Sequence, residues 1–157
     1  MSVDQAGIVD APSGLFTEAF LHATLPTRVA TARRAMKQLG LVFIDLRPTD
    51  GGPPPEPSAV GDEIRETLRD SDTAVVLDDG RYALLLEFTP VDGCVIIANR
   101  LVDDFAEALP GVAAHIGVGS YPVHAINASE LLQAADRAVV DAVAAGPGTV
   151  SVAPLAD

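Results

Sequence analysis

The chain has 157 residues, enough for one domain and short for two, and its 48% hydrophobic and 20% charged residues describe a globular chain, not a disordered one. Ten Lys+Arg against 22 Asp+Glu give a formal net charge of −12, a surface that repels nucleic-acid phosphates and anionic lipid, so DNA, RNA and membrane-surface partners are not expected. The single cysteine, Cys94, excludes an internal disulfide and a Cys-rich zinc site, no apolar run reaches the ~20 residues of a membrane span, and the N-terminus lacks the regions of a signal peptide, so a cytoplasmic protein is expected.

Residues 1–15 read as a lead-in loop to a single domain over 1–157. Thr17 caps a short helix over 17–24, and Pro26 opens a second helix that Gly40 ends. Residues 41–46 form an apolar run interrupted only by Asp45, the pattern of a buried strand. The segment 47–57 holds five prolines and two glycines and is a stiff loop. An amphipathic helix over 58–69 places Val60, Ile64 and Leu68 on one face. Strands follow at 73–77 and 82–88, joined by Asp78-Asp79-Gly80-Arg81 as a two-residue hairpin turn. Thr89-Pro90, with Asp92 three residues after Thr89, starts a helix to about Leu109, stopped by Pro110-Gly111. A strand over 113–121, a helix opened by Asn127 and Glu130 and closed by Gly146, and a last strand over 149–153 complete the chain. The central β-α-β-β-α-β order is that of the ferredoxin-like split unit. The fold class is therefore α+β: a ferredoxin-like βαββαβ core with an antiparallel central sheet, extra N-terminal helices and a C-terminal helix and strand.

Several fragments, in order, resemble the GGDEF domains of diguanylate cyclases. Asp10 to Leu15 resembles the family's D-x-L-T-G-L opening, and Phe43-Ile44-Asp45-Leu46 its I-D-L-D strand. The run from His115 to Pro122 is similar to S-I-G-V-A-x-Y-P, and the run from Leu131 to Ala138 to L-L-x-x-A-D-x-A. The hairpin Asp78-Asp79-Gly80-Arg81-Tyr82 sits where the family has its signature. The resemblance implies a fold of nucleotidyl-cyclase type and, in intact members, joining of two GTP molecules into cyclic di-GMP at a two-carboxylate metal site. Asp45 keeps the first carboxylate as a vestige. The second falls on Gly80, the following Glu on Arg81, and the two signature glycines on Asp78 and Asp79. The phosphate-binding lysines align with Asp50 and Val143, and Asp62 is left without an assignment. This is the pattern of a degenerate, catalytically inactive member with no metal and no cofactor.

The resemblance also implies a second site. Many GGDEF domains bind their product at an inhibitory site marked by R-x-x-D five residues before the signature. Arg69 and Asp72 keep that spacing, and Arg100 falls on the helix residue that completes the site. The pattern R-x-x-D occurs three times here, at Arg47, Arg69 and Arg100, so placement carries the signal and the bare motif does not. An Arg fork pairs with guanine O6 and N7 or with phosphate, and a carboxylate accepts from guanine N1–H and its amino group. The plain readings stand beside this one. Arg69 and Asp72 also read as a helix-end charge and a strand-start cap, Arg100 as a solvated helix residue, and Asp45 as a hydrogen-bonded buried acid. His22 and His124 lack an acidic or His partner at metal spacing, His115 reads as a core or surface residue, and Cys94 as a small apolar one. The expected function is a cyclic di-GMP receptor using Arg69, Asp72 and Arg100. The alternatives are a ligand-free module of the same fold that dimerises or docks a protein partner, and an enzyme with divergent chemistry that recruits Asp78 or Asp79.

Overall fold

A computed structural model describes residues 7–155. The elements in chain order are β1 (Phe16–Thr17), α1 (Glu18–Ala35), β2 (Leu39–Pro48), α2 (Pro57–Thr67), β3 (Thr73–Val76), β4 (Tyr82–Leu86), α3 (Val91–Ala108), β5 (Val112–Tyr121), α4 (Ala128–Ala145) and β6 (Val150–Val152). They build one six-stranded sheet in the order β1-β3-β4-β2-β5-β6. The four inner strands pair antiparallel, and β1 and β6 join the edges in parallel. The inner order is the ferredoxin-like one, as expected.

Side-chain alternation along β2 explains how helices cover both faces. Val42 and Ile44 point into a core with Val60 and Ile64 of α2 and Leu101 and Phe105 of α3. Leu39, Leu41 and Phe43 point the other way, onto Leu21, Leu25 and Val29 of α1 and Leu131, Ala135 and Val139 of α4. Asp45 follows Phe43 by two residues and therefore emerges on the α1/α4 face, toward its end. Among the described residues no helix is long and apolar enough to cross a membrane.

Several expectations are corrected. The N-terminal helices are one helix: Thr17 caps it by accepting from the Phe20 amide, and Pro26 lies inside it. Proline withdraws the amide that would bond the His22 carbonyl. The buried stripe Leu21, Leu25, Val29 and Ala32 holds the helix together across that gap. It ends at Met36, in a left-handed conformation, before Gly40. The lead-in segment is not a simple loop. The carboxylate of buried Asp10 accepts from the Ser13 amide at 3.1 Å and hydroxyl at 2.7 Å, folding residues 10–15 into a tight turn; residues 1–6 lie outside the described residues.

The hairpin turn is also longer than two residues. The Gly80 amide donates to the Leu77 carbonyl, the Leu77 amide to the Arg81 carbonyl, and Gly80 has φ +91. This is a three-residue loop closed by a left-handed glycine. Helix α2 starts on Pro57 and stops at Thr67, because the Arg69 amide is captured by the Asp72 carboxylate at 3.1 Å. Strand β4 stops at Leu86, because the Glu87 amide goes to the same carboxylate.

Candidate functional site

Two regions carry the residues singled out in the sequence. The first is the cleft between the β3–β4 hairpin, β2 and α4. Arg47 follows Asp45 by two residues on β2, so both side chains project from one face. Its Nε and Nη2 donate to the two Asp45 carboxylate oxygens, each at 3.1 Å. This bidentate pair holds the Arg47 guanidinium above its ordinary pKa.

On the hairpin, the Asp78 amide donates to Glu18 of α1 at 2.9 Å, and that bond holds the Glu18 carboxyl below its usual range. Arg81 turns back over its own loop. Its Nε donates to Asp79 at 2.8 Å, its Nη1 to Asp136 of α4 at 2.7 Å, and the guanidinium lies 5.3 Å from the centre of the Phe43 ring. Burial works to lower its pKa, but the Asp136 and Asp79 carboxylates outweigh burial and keep it above the ordinary value.

Two cavities, of about 290 and about 580 Å3, flank this side chain, and Asp79, Arg81 and Asp136 line both. Asp45 lines the larger one. The carboxylates of Asp45, Asp79 and Asp136 thus each accept from an arginine, and Gly80 contributes no ligand. Among the described residues no group of three His, Cys, Asp or Glu is arranged to hold a metal ion. The Gly61-Asp62 pair is explained locally. A Cβ on Gly61 would lie 2.2 Å from the Ser13 carbonyl oxygen, so glycine lets α2 pack on the 10–15 turn, and exposed Asp62 pairs with Arg65 at 2.6 Å.

The second region is the flank where α2, β3 and β4 meet. The Asp72 side chain is 1% exposed and its two oxygens take four hydrogen bonds: from the Arg69 amide, the Glu87 amide, and Nε and Nη2 of Arg69. The Arg69 side chain is 59% exposed, yet its Nη2 also donates to the Glu87 carbonyl at 2.8 Å and the Thr89 hydroxyl at 2.7 Å. The Glu87 carboxylate in turn receives Arg28 of α1. Arg69 and Asp72 are therefore brought together, with Asp72 fixing the turn and Arg69 reaching solvent. Arg100 stands about two and a half turns into α3, exposed, one turn beyond exposed Ile96 and without a hydrogen bond or ion pair among the described residues. Buried Cys94 lies on the inner face of α3, its thiol pushed up to about 12 by burial and by the Asp72 charge.

Reading the sequence missed Glu87 and the second role of Thr89. Thr89 does not cap α3, whose N-cap is Pro90 without a side-chain bond; its hydroxyl is spent on Arg69 and the Glu87 carbonyl. His22 does have an acidic partner, Glu18, one turn earlier at 2.9 Å. His115 contacts the Gly146 carbonyl, and His124 accepts from the Ser120 amide through Nδ1 at 2.9 Å, its pKa lowered by burial.

No family model and no curated protein sequence matches the chain. Solved structures do. The GGDEF domain of YfiN (TpbB) from Pseudomonas aeruginosa aligns at a TM-score of 0.76 and 24% identity, covering 91% of this chain and 99% of its own. A microbial GGDEF domain described in a novel interaction mode with cyclic di-GMP aligns at 0.80 and 14%, covering 96% and 99%. The fold is that of a GGDEF domain. Diguanylate cyclase SiaD of P. aeruginosa, solved with its activator SiaC, aligns at 0.80 and 19%, covering 95% of this chain and 63% of its own. GGDEF folds thus occur both with a dinucleotide and with a protein activator.

Proposed function

We propose that this chain is a catalytically silent GGDEF-fold module that binds cyclic di-GMP on its flank, through Arg69 and Arg100, with buried Asp72 holding the Arg69 guanidinium in place. The observation that carries the reading is the state of Arg69. Its guanidinium is tethered by Asp72, Glu87 and Thr89 while the side chain as a whole is 59% exposed, so Nη1, the nitrogen without a hydrogen-bond partner among the described residues, meets a ligand with little further ordering to do. On a chain of net charge −12, Arg69 is an exposed and tethered cation, and Arg100 on α3 is an exposed one without a partner among the described residues. Guanine O6 or N7, or a phosphate oxygen of the dinucleotide, accepts from a free guanidinium N–H of this kind. The loss of catalysis rests on the other cleft. There Arg47 neutralises Asp45, and Arg81 occupies the space between Asp79 and Asp136. A divalent ion would have to displace a guanidinium at either place.

A second reading has its own support. Four hydrogen bonds saturate Asp72, so Arg69 and Asp72 are fully explained as a turn without any ligand. The chain would then act as a docking module for a protein partner or a second copy. Calorimetric titration with cyclic di-GMP separates the two: saturable heat supports the receptor, and none at millimolar ligand leaves the docking module.

A further inference from the structure

We propose that Phe88 is the stacking platform of the flank site, so that the site reads a purine face and not phosphate alone; this rests on the receptor reading above. Phe88 is the aromatic among the large exposed apolar side chains of the described residues, 45% exposed. Its backbone is left-handed, with φ +51. Glycine or asparagine adopts that conformation at lower cost, and a bulky side chain there is an outlier that invites a functional explanation.

The turn that holds it is fixed on both sides. The Glu87 amide is bound to Asp72, the Glu87 carbonyl accepts from Arg69 and from the Thr89 hydroxyl, and Pro90 follows at the start of α3. The two groups that anchor the Arg69 guanidinium beyond Asp72 therefore belong to the neighbours of Phe88 on either side. Fork and ring share one rigid turn. A guanine uses both: an in-plane donor for O6 or N7, which Arg69 Nη1 can supply, and an apolar surface for its face. A bare phosphate needs only the fork. The ring makes no aromatic or cation contact within the described residues, and close to half of the residue is open to solvent.

Two variants test this. Phe88→Gly removes the ring at a φ that glycine adopts freely, so the protein is expected to melt no lower than wild type. Phe88→Trp introduces a fluorophore into a chain that has no Trp. With cyclic di-GMP as the probe, Phe88→Gly is expected to bind roughly tenfold or more weakly than wild type. The Phe88→Trp emission is expected to be quenched saturably at the calorimetric Kd, while inorganic pyrophosphate leaves it unchanged. Wild-type binding that Phe88→Gly retains in full, with no quenching of Phe88→Trp, overturns the stacking role and leaves the receptor standing. A wild type that takes up no dinucleotide overturns the receptor and the platform with it.

Discussion

The guanidinium of Arg81 donates to the carboxylate of Asp136 across 2.7 Å, and this bond ties the β3–β4 hairpin to α4. With the bond to Asp79 and the contact over Phe43, it turns a position that resembles a metal-binding signature into a structural clamp. The Asp136 side chain is about half exposed, so solvent screens the interaction. Arg81→Ala is expected to cost about 0.5–1 kcal/mol and to lower Tm by ~1–4 °C. Thermal melts of the two single variants and of the Arg81→Ala/Asp136→Ala double variant check this. Additive losses would show that the two side chains do not interact.

The same clamp predicts silence toward nucleotide substrate. Incubation with GTP and Mg2+ or Mn2+ is expected to give no cyclic di-GMP by chromatography, because Asp45 is held by Arg47 and both Asp79 and Asp136 are held by Arg81. Product formed by the wild type and lost in Asp45→Asn would contradict the assignment of Asp45 as a vestige.

Gly61 is a packing residue. A Cβ there would sit 2.2 Å from the Ser13 backbone oxygen, far inside van der Waals contact, and backbone on both sides limits relief. Gly61→Ala is expected to destabilise by about 2 kcal/mol, within the usual cost of overpacking. Denaturant unfolding measures it, and a loss under ~0.5 kcal/mol would show that α2 does not pack on the 10–15 turn as described.

The hydrogen bond between Ser120 and His124 is pH-sensitive. His124 accepts from the Ser120 amide through Nδ1, which requires the neutral ring, and burial holds its pKa below the ordinary value. The unfolded chain therefore binds the proton more readily. The stability from this group is complete above the unfolded pKa of about 6.5 and declines as pH falls below it, by at most ~1.4 kcal/mol per pH unit. Melts between roughly pH 7.5 and 5.5, a window around that pKa, should fall more steeply for wild type than for His124→Asn, whose amide oxygen is a non-titrating acceptor. Equal slopes would contradict the role of His124.

Much of the fold was legible in the residues. Apolar runs broken by Gly and Pro marked the inner strands, and Asn127 with Glu130 marked the start of α4, where the Glu130 amide donates to the Asn127 side chain. What was hidden needed tertiary contact. Pro26 reads locally as a helix start, and only the burial of Leu21 and Leu25 against the sheet shows the helix running through it. Asp-Gly suits both two- and three-residue hairpins, and the Leu77–Arg81 pairing decides between them. The pairing of Arg47 with Asp45 follows from the two-residue period of a strand and could have been read. The pairing of Asp72 with the Glu87 amide spans 15 residues, and that of Arg81 with Asp136 spans 55, so neither leaves a local trace. The left-handed Phe88 is hidden for the same reason, since residues on both sides are held by groups distant in sequence.

The central claim is that the flank grips cyclic di-GMP while the hairpin cleft does no chemistry. Isothermal titration of wild type, Arg69→Ala and Arg100→Ala with cyclic di-GMP tests it most directly. The account predicts a wild-type Kd on the order of 1 μM, corresponding to about −8 kcal/mol, and a loss of at least about tenfold in each variant, as expected for removing one charge-assisted contact. Wild-type binding that neither substitution weakens, or no heat at millimolar ligand, would contradict it.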